Sequence, residues 1–162
     1  MFNFQLMYRL FYILFMCLFA QSARGQHLSF DELIKLRSQD VGTVNAYLEA
    51  KNWQLKSSTP ETDKKLATII WDFGRTSHSK ATAFFTINTA SGLEQKLRYQ
   101  APKKSYDLFL EQIHAHKMKQ ISSNVGEGHI WTVFSDSDFL IEMIVGMDTD
   151  GSSAYIIVLE KK

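Results

Sequence analysis

The last third of the chain, residues 128–162, constrains the fold more than any other stretch. It reads as three short apolar runs, 130–134, 139–145 and 154–160. They are separated by Ser135-Asp136-Ser137-Asp138 and by residues 146–153, where Gly, Asp and Ser dominate. Short runs rich in Ile, Val, Phe and Tyr, punctuated by Asp, Ser and Gly, are strands joined by tight turns. Two such connections in succession make an antiparallel meander. The runs barely alternate, however. A half-wet strand reads apolar-polar, yet residues 139–145 are apolar on both parities except at Glu142. A strand of that kind needs cover on both faces.

The other end of the chain carries an address. Arg9 is the only charge before residue 24, and residues 10–20 form an unbroken apolar run of 11. That is the layout of a secretory signal peptide over residues 1–25, and the run is shorter than the ~18 residues of a membrane span. Small residues place cleavage after Ala20 or after Gly25, and the spacing at Ala23-Arg24-Gly25 favours Gly25. The expected localisation is therefore export, periplasmic or extracellular, with no stable membrane span after cleavage. Cys17, the only cysteine, lies inside the apolar run and is read as one more apolar residue of the leader. The 137 residues after Gly25 would then hold no disulfide, thiol nucleophile or Cys-ligated metal, and would rely on their core alone. Of 18 Lys and Arg, Arg9 and Arg24 fall in the leader, leaving 16 against 17 Asp and Glu, a net charge of −1. Neither sign is concentrated, so no nucleic-acid partner is expected.

Within residues 26–162, read as a single domain, Ser29 and Glu32 form a capping box and Leu28 a staple to Leu33, which predicts a short helix. Asp40 opens a second helix from about Val41 to Lys51, with Val41, Val44, Tyr47 and Leu48 on one stripe. Asn52 is a left-handed stop. Residues 56–65, polar and containing Pro60, read as an exposed loop. Strands follow at 66–73, 81–88 and 93–100. In the last of these Leu97 and Tyr99 oppose Glu94, Lys96 and Arg98, which predicts one wet face. Pro102 and Ser105 announce a helix to about Ser122, with Tyr106, Phe109, Leu110, Ile113 and Ile121 on one side. The expected fold is α+β: an antiparallel sheet of about six strands in the order ααβββ-αβββ, helices packed on one face. Residues 29–100 and 105–160 are candidate repeats of an α-βββ unit. A gap-free offset of 60 aligns Ile70-Trp71 with Ile130-Trp131 and gives four identities over residues 70–100, against about two by chance. By that offset Glu94, Lys96 and Arg98 correspond to Ala154, Ile156 and Val158.

No established catalytic pattern stands in the chain. His114 and His116, two apart on a helix, point to opposite sides, whereas a helical metal pair needs i,i+4. Asp148-Thr149-Asp150-Gly151 begins like a calcium loop, but the glycine arrives early and Ile157 stands where the motif requires Glu. It is read as a hairpin turn, as are Asp136 and Asp138. There is no Gly-x-Ser-x-Gly elbow, and Gly126-Glu127-Gly128 lacks the third glycine of a phosphate loop. His78 could join Asp72 or His129 in an acid–base site only if the fold brings them together. No metal or cofactor is expected. Glu142 is the notable acid, because a lone buried carboxylate is costly unless paired or protonated. An even turn over 135–138 would set it opposite Trp131, an odd one opposite Thr132.

In element order alone, the ααβββ unit resembles the tandem repeats of secreted β-lactamase inhibitor proteins, the small outer-membrane assembly lipoproteins and NTF2-like domains. No motif of these families stands in the sequence, so the resemblance implies architecture and no function. The first functional expectation is an exported, non-enzymatic binding or interaction domain of a bacterial-type cell envelope. Its second meander would present Ile130, Phe134, Leu140, Ile144, Ile156 and Val158 to a protein partner or a second copy. The alternatives are a cone-shaped ligand carrier or enzyme with a pocket near Glu142, and an inhibitor or immunity-type protein. The candidate binding residues are Glu142, Trp131, His129, Ile144, Ile156 and Val158.

Overall fold

The computed structural model describes residues 27–63, 65–90, 95–148 and 150–162. The expected leader, its expected cleavage site and Cys17 lie outside them, as do Glu94 and Thr149. The described chain is α+β: one antiparallel sheet of eight strands and three helices. In chain order these are α1 (Phe30–Arg37), α2 (Val41–Ala50), β1 (Gln54–Thr59), β2 (Ala67–Phe73), β3 (Ala83–Thr89), β4 (Lys96–Ala101), α3 (Lys103–Ala115), β5 (Lys119–Gly126), β6 (His129–Ser135), β7 (Phe139–Met147) and β8 (Ser153–Lys161). Across the sheet the strands run β1-β2-β3-β4-β8-β7-β6-β5. Each half is a four-stranded meander, and the halves join where β4 pairs with β8.

The order is thus ααββββ-αββββ, with two strands beyond the six expected. β1 occupies the start of the stretch read as a polar loop, and its six residues are all exposed. β5 replaces the last turns of the long helix and the loop after it. The helix stops at Ala115 because Lys117 takes a left-handed φ of 56°. Ile121 is therefore not on a helical stripe; it sits in a bulge of β5 between Gln120 and Ser122. Both missed strands are sheet edges whose residues bury little, so neither carries the hydrophobic period that marks a strand.

Local signals fix the helices. Ser29 accepts from the Glu32 N–H at 3.3 Å, while the Glu32 carboxylate accepts from the Ser29 N–H at 2.7 Å. The same carboxylate holds Tyr47 and Lys51 of α2 and its C-cap. Asp40 caps α2 through the Thr43 N–H at 3.0 Å. Asn52, φ 64°, turns the chain out of α2. All three helices lie on one face of the sheet. Phe30, Leu33, Leu48, Phe109 and Ile113 pack in one core with Trp71, Phe85, Tyr99, Ile141 and Ile157. Polar ties accompany that packing. Trp71 Nε1–H donates to Asn45 Oδ1 at 2.8 Å, and the Phe30 N–H donates to Gln112 Oε1 at 3.0 Å.

The register is symmetric about the pair Arg98↔Val158. Shifting β4 onto β8 by 60 residues turns one half onto the other. The same rotation superposes the β1 bulge, which faces Ile70 and Trp71, on the β5 bulge, which faces Val133 and Phe134. It requires an offset of 63 between β2 and β6, since Trp71 then meets Phe134. The gap-free match of Ile70-Trp71 with Ile130-Trp131 is therefore not a structural correspondence. Trp71 is buried under the helices, whereas Trp131 lies on the opposite face.

Candidate functional site

Helix cover accounts for one face of the apolar strands. The other face carries no helix among the described residues, and the register writes it out row by row. One row runs Asn124, Trp131, Ile144, Ile156, Gln100, Phe84, Asp72. The next runs Ser122, Val133, Glu142, Val158, Arg98, Thr86, Ile70. The third places Ser135, Leu140, Glu160, Lys96 and Asn88 side by side. The middle of this face is a second, small apolar cluster of Ala154, Ile156 and Val158 with Ile144.

Two sequence expectations are corrected here. Ile130 and Phe134 pair with Val145 and Ile141, which turns them to the helix side. Phe134 is in the main core, whereas Ile130 is 49 % exposed beyond the helices. The residues of β6 that face away from the helices are His129, Trp131, Val133 and Ser135. Glu142 pairs with Val133, neither Trp131 nor Thr132. The turn is even, but the ladder extends to Ser135↔Leu140. Asp136 tightens the turn by accepting from the N–H groups of Asp138 and Phe139, both at 2.8 Å. The pairing therefore slides by two residues, which leaves the face unchanged.

A groove of about 410 Å³ opens on this face, lined by Trp131, His129, Glu142, Ile144, Ile156 and Arg98, with Val133, Gly126 and Glu127. Five of the six candidate residues line it. Val158 lies beside it on the same face, 5 % exposed between Glu142 and Arg98. Along the strands, His129 stands at one end, Trp131, Ile144 and Ile156 in the middle, and Glu142 with Arg98 at the other. Two same-face steps separate His129 from the level of Glu142, about 13 Å at strand rise.

The His129 end is built by glycine. The imidazole lies against Gly146, where a Cβ would stand 2.1 Å from His129 Cδ2. Nδ1–H donates to the Glu127 carbonyl at 2.9 Å, which leaves Nε2 as the ring's open position. Gly126 likewise leaves room for the Trp131 ring, 3.4 Å from where its Cβ would be. At the other end, neither Glu142 nor Arg98 meets a counter-charge or hydrogen-bond partner among the described residues. They are two strands apart, about 10 Å between Cα positions.

A larger cavity, about 800 Å³, sits at one end of the sheet between residues 75–82 and the β7–β8 turn. Its cationic side chains are each paired. Lys80 pairs with Asp150 at 2.7 Å, Arg75 with the buried Asp72 at 2.8 Å, and Lys103 with Asp107 at 2.6 Å. The hydrogen bond from Lys80, with those from Ser152, holds the Asp150 carboxyl well below its usual range. Asp150 is thus engaged in the turn, with Gly151 at φ 81°. His78 lines this cavity and His129 the groove, with Asp72 five strands from His129 in the sheet, so the fold keeps His129 apart from His78 and Asp72. His114 and His116 are both exposed. His114 stands edge-on to Phe134 at 5.6 Å, and His116 is 3.5 Å from Asp31 Oδ1. Among the described residues no three His, Cys, Asp or Glu are placed to hold a metal ion, and no helix is long and apolar enough to cross a membrane. No protein-family profile, curated protein or solved structure matches this chain.

Proposed function

We propose that this is a binding domain that receives a protein partner on its helix-free sheet face, and that residues 1–25 direct its export to the cell envelope or beyond. The observation that carries the reading is the composition of that face. An apolar centre, Ile144, Ile156 and Val158, is flanked by Trp131 and by two charges, Glu142 and Arg98, that the chain itself leaves unanswered. Aromatic, aliphatic and arginine side chains around a groove are the usual makings of an interface centre. An inhibitor or immunity-type protein is this same reading with an enzyme as the partner. The symmetric register further supports descent of the two halves from one α-ββββ unit. In that pair of halves, Lys96 and Arg98 of β4 stand where β8 has Ile156 and Val158.

Photo-crosslinking in living cells tests the reading. A photoreactive residue at Trp131 or Ile144 of the full chain is expected to give protein adducts, whereas one at the exposed Lys35 of α1 gives none. Equal labelling from both faces, or none from either, would overturn it.

The groove favours one second reading, a small-ligand carrier or enzyme. His129 at one end and Glu142 at the other bracket an apolar floor that would suit an extended ligand of about 13 Å. That reading requires a small molecule that raises the melting temperature of the wild-type chain and fails to do so in Glu142→Gln. A screen in which both proteins respond alike counts against it.

A further inference from the structure

We propose that the partner on the helix-free face is a second copy of this chain, docked sheet to sheet about a two-fold axis that runs along β8. The inference rests on the reading of that face as a docking surface, and adds the identity of the occupant.

The geometry comes from one row. Glu142 and Arg98 both pair with Val158, one from each side, so they are equidistant from it on the same face. A half-turn about an axis lying along β8, between two facing sheets, exchanges left and right within every row. It sets Glu142 of one copy opposite Arg98 of the other, and does so twice. Val158 and Ile156 meet their own counterparts at the centre. In the neighbouring row Ile144 faces Gln100, and Trp131 faces Phe84, whose ring already carries the Lys56 ammonium at 4.6 Å. The groove over Ile144 is thereby filled by side chains of the other copy. The other charges of these rows do not oppose this arrangement. Lys96 and Glu160 are paired within their own chain, and Asp72 is held by Arg75.

A two-fold axis perpendicular to the strands would instead set Arg98 against Arg98 and Glu142 against Glu142. Charge complementarity thus selects one of the two ways in which the sheets can face each other. Aligned packing of two sheets about 10 Å apart is a standard arrangement, and a self-complementary patch is what a two-fold dimer requires.

The test uses charge reversal on the purified full chain, with mass read by light scattering across a concentration series. The wild type is expected to dimerise, more weakly as salt is raised. Arg98→Glu leaves only acids at the two positions and Glu142→Arg only bases. Each alone is expected to weaken the dimer about a hundredfold or more. Mixed in equal amounts, the two variants are expected to form a heterodimer, and the double exchange R98E/E142R to restore the homodimer. Recovery on mixing also shows that both variants are folded. Arg98→Gln and Glu142→Gln, which remove a charge without inserting one, are expected to weaken the dimer less. A wild type that stays monomeric, a dimer indifferent to both reversals, or a mixture without recovery overturns the proposal. An indifferent dimer would place the contact elsewhere, for example at the β5 edge with its exposed Ile121 and Val125. A monomeric wild type that still crosslinks to another protein through Trp131 overturns the second copy alone and leaves the docking surface standing.

Discussion

His129 rests on a backbone that has no side chain to spare for it. Gly146→Ala puts a methyl group where the imidazole lies, and the ring has to leave or β7 has to shift. We expect a loss of about 1–3 kcal/mol, read by denaturant unfolding, and recovery of most of it in the double variant with His129→Ala. An unchanged midpoint in Gly146→Ala would show that the ring is not seated there. Glu32 makes a second prediction at this scale. Burial alone would raise its pKa, but hydrogen bonds from Lys51, the Ser29 amide and Tyr47 outweigh that and leave it lowered. A carboxyl lowered in the folded state contributes stability above its ordinary value near 4.5 and loses it as pH falls through the folded value. The unfolding midpoint should therefore decline on acidification below that point, and the decline should be shallower in Glu32→Gln. Parallel curves for the two proteins would refute the assignment. The capping box behind Glu32 was legible in the sequence because it is local, three residues wide. The seat of His129 was not, because it joins residues 17 positions apart in the chain through a register that no short motif encodes.

The elements divide by which face they serve. α3 is anchored by Phe109 and Ile113, both buried in the main core, so Phe109→Ala should cost about 3–5 kcal/mol. Trp131→Ala, on the helix-free face, should cost only about 1 kcal/mol while abolishing the crosslinks to the partner. If the two substitutions destabilise the fold equally, Trp131 is a core residue and the face is not a docking surface. The same division explains what the sequence revealed. Strands that feed a core declare themselves: β4 alternates, β7 is apolar but for Glu142, and β8 is apolar from Ala154 to Leu159. The lack of alternation in β7 predicts cover on both faces, and the helices supply it on one. β1 and β5 went unseen because edge strands with exposed residues look like loops until a partner strand is in place. They are also where the chain guards its edges, each with a bulge, one presenting Lys56 and the other Ile121.

At the scale of the molecule, the two halves share a register and differ in surface. The first half has two helices for four strands and the second has one, so the ends of β5 and β6 extend past their cover, leaving Val125 79 % and Ile130 49 % exposed. A similar order of elements in the two halves was visible in the sequence. The residue correspondence of the register was obscured, because loops of different length give each strand pair its own offset. The matched Ile-Trp dipeptides align only when those differences in length are ignored.

The strand order carries a consequence for how the sheet is held together. β8, the last strand in chain order, lies in the middle of the sheet and joins β4 to β7. Without residues 153–161 the two meanders share no strand pairing, and only helix-side packing and ties such as that of the Phe30 N–H to Gln112 connect them. The sheet closes only when residues 153–161 take their place between β4 and β7. A chain of this design keeps the clasp of its sheet in a single segment, so anything that held residues 153–161 elsewhere would leave two separate meanders in place of one sheet.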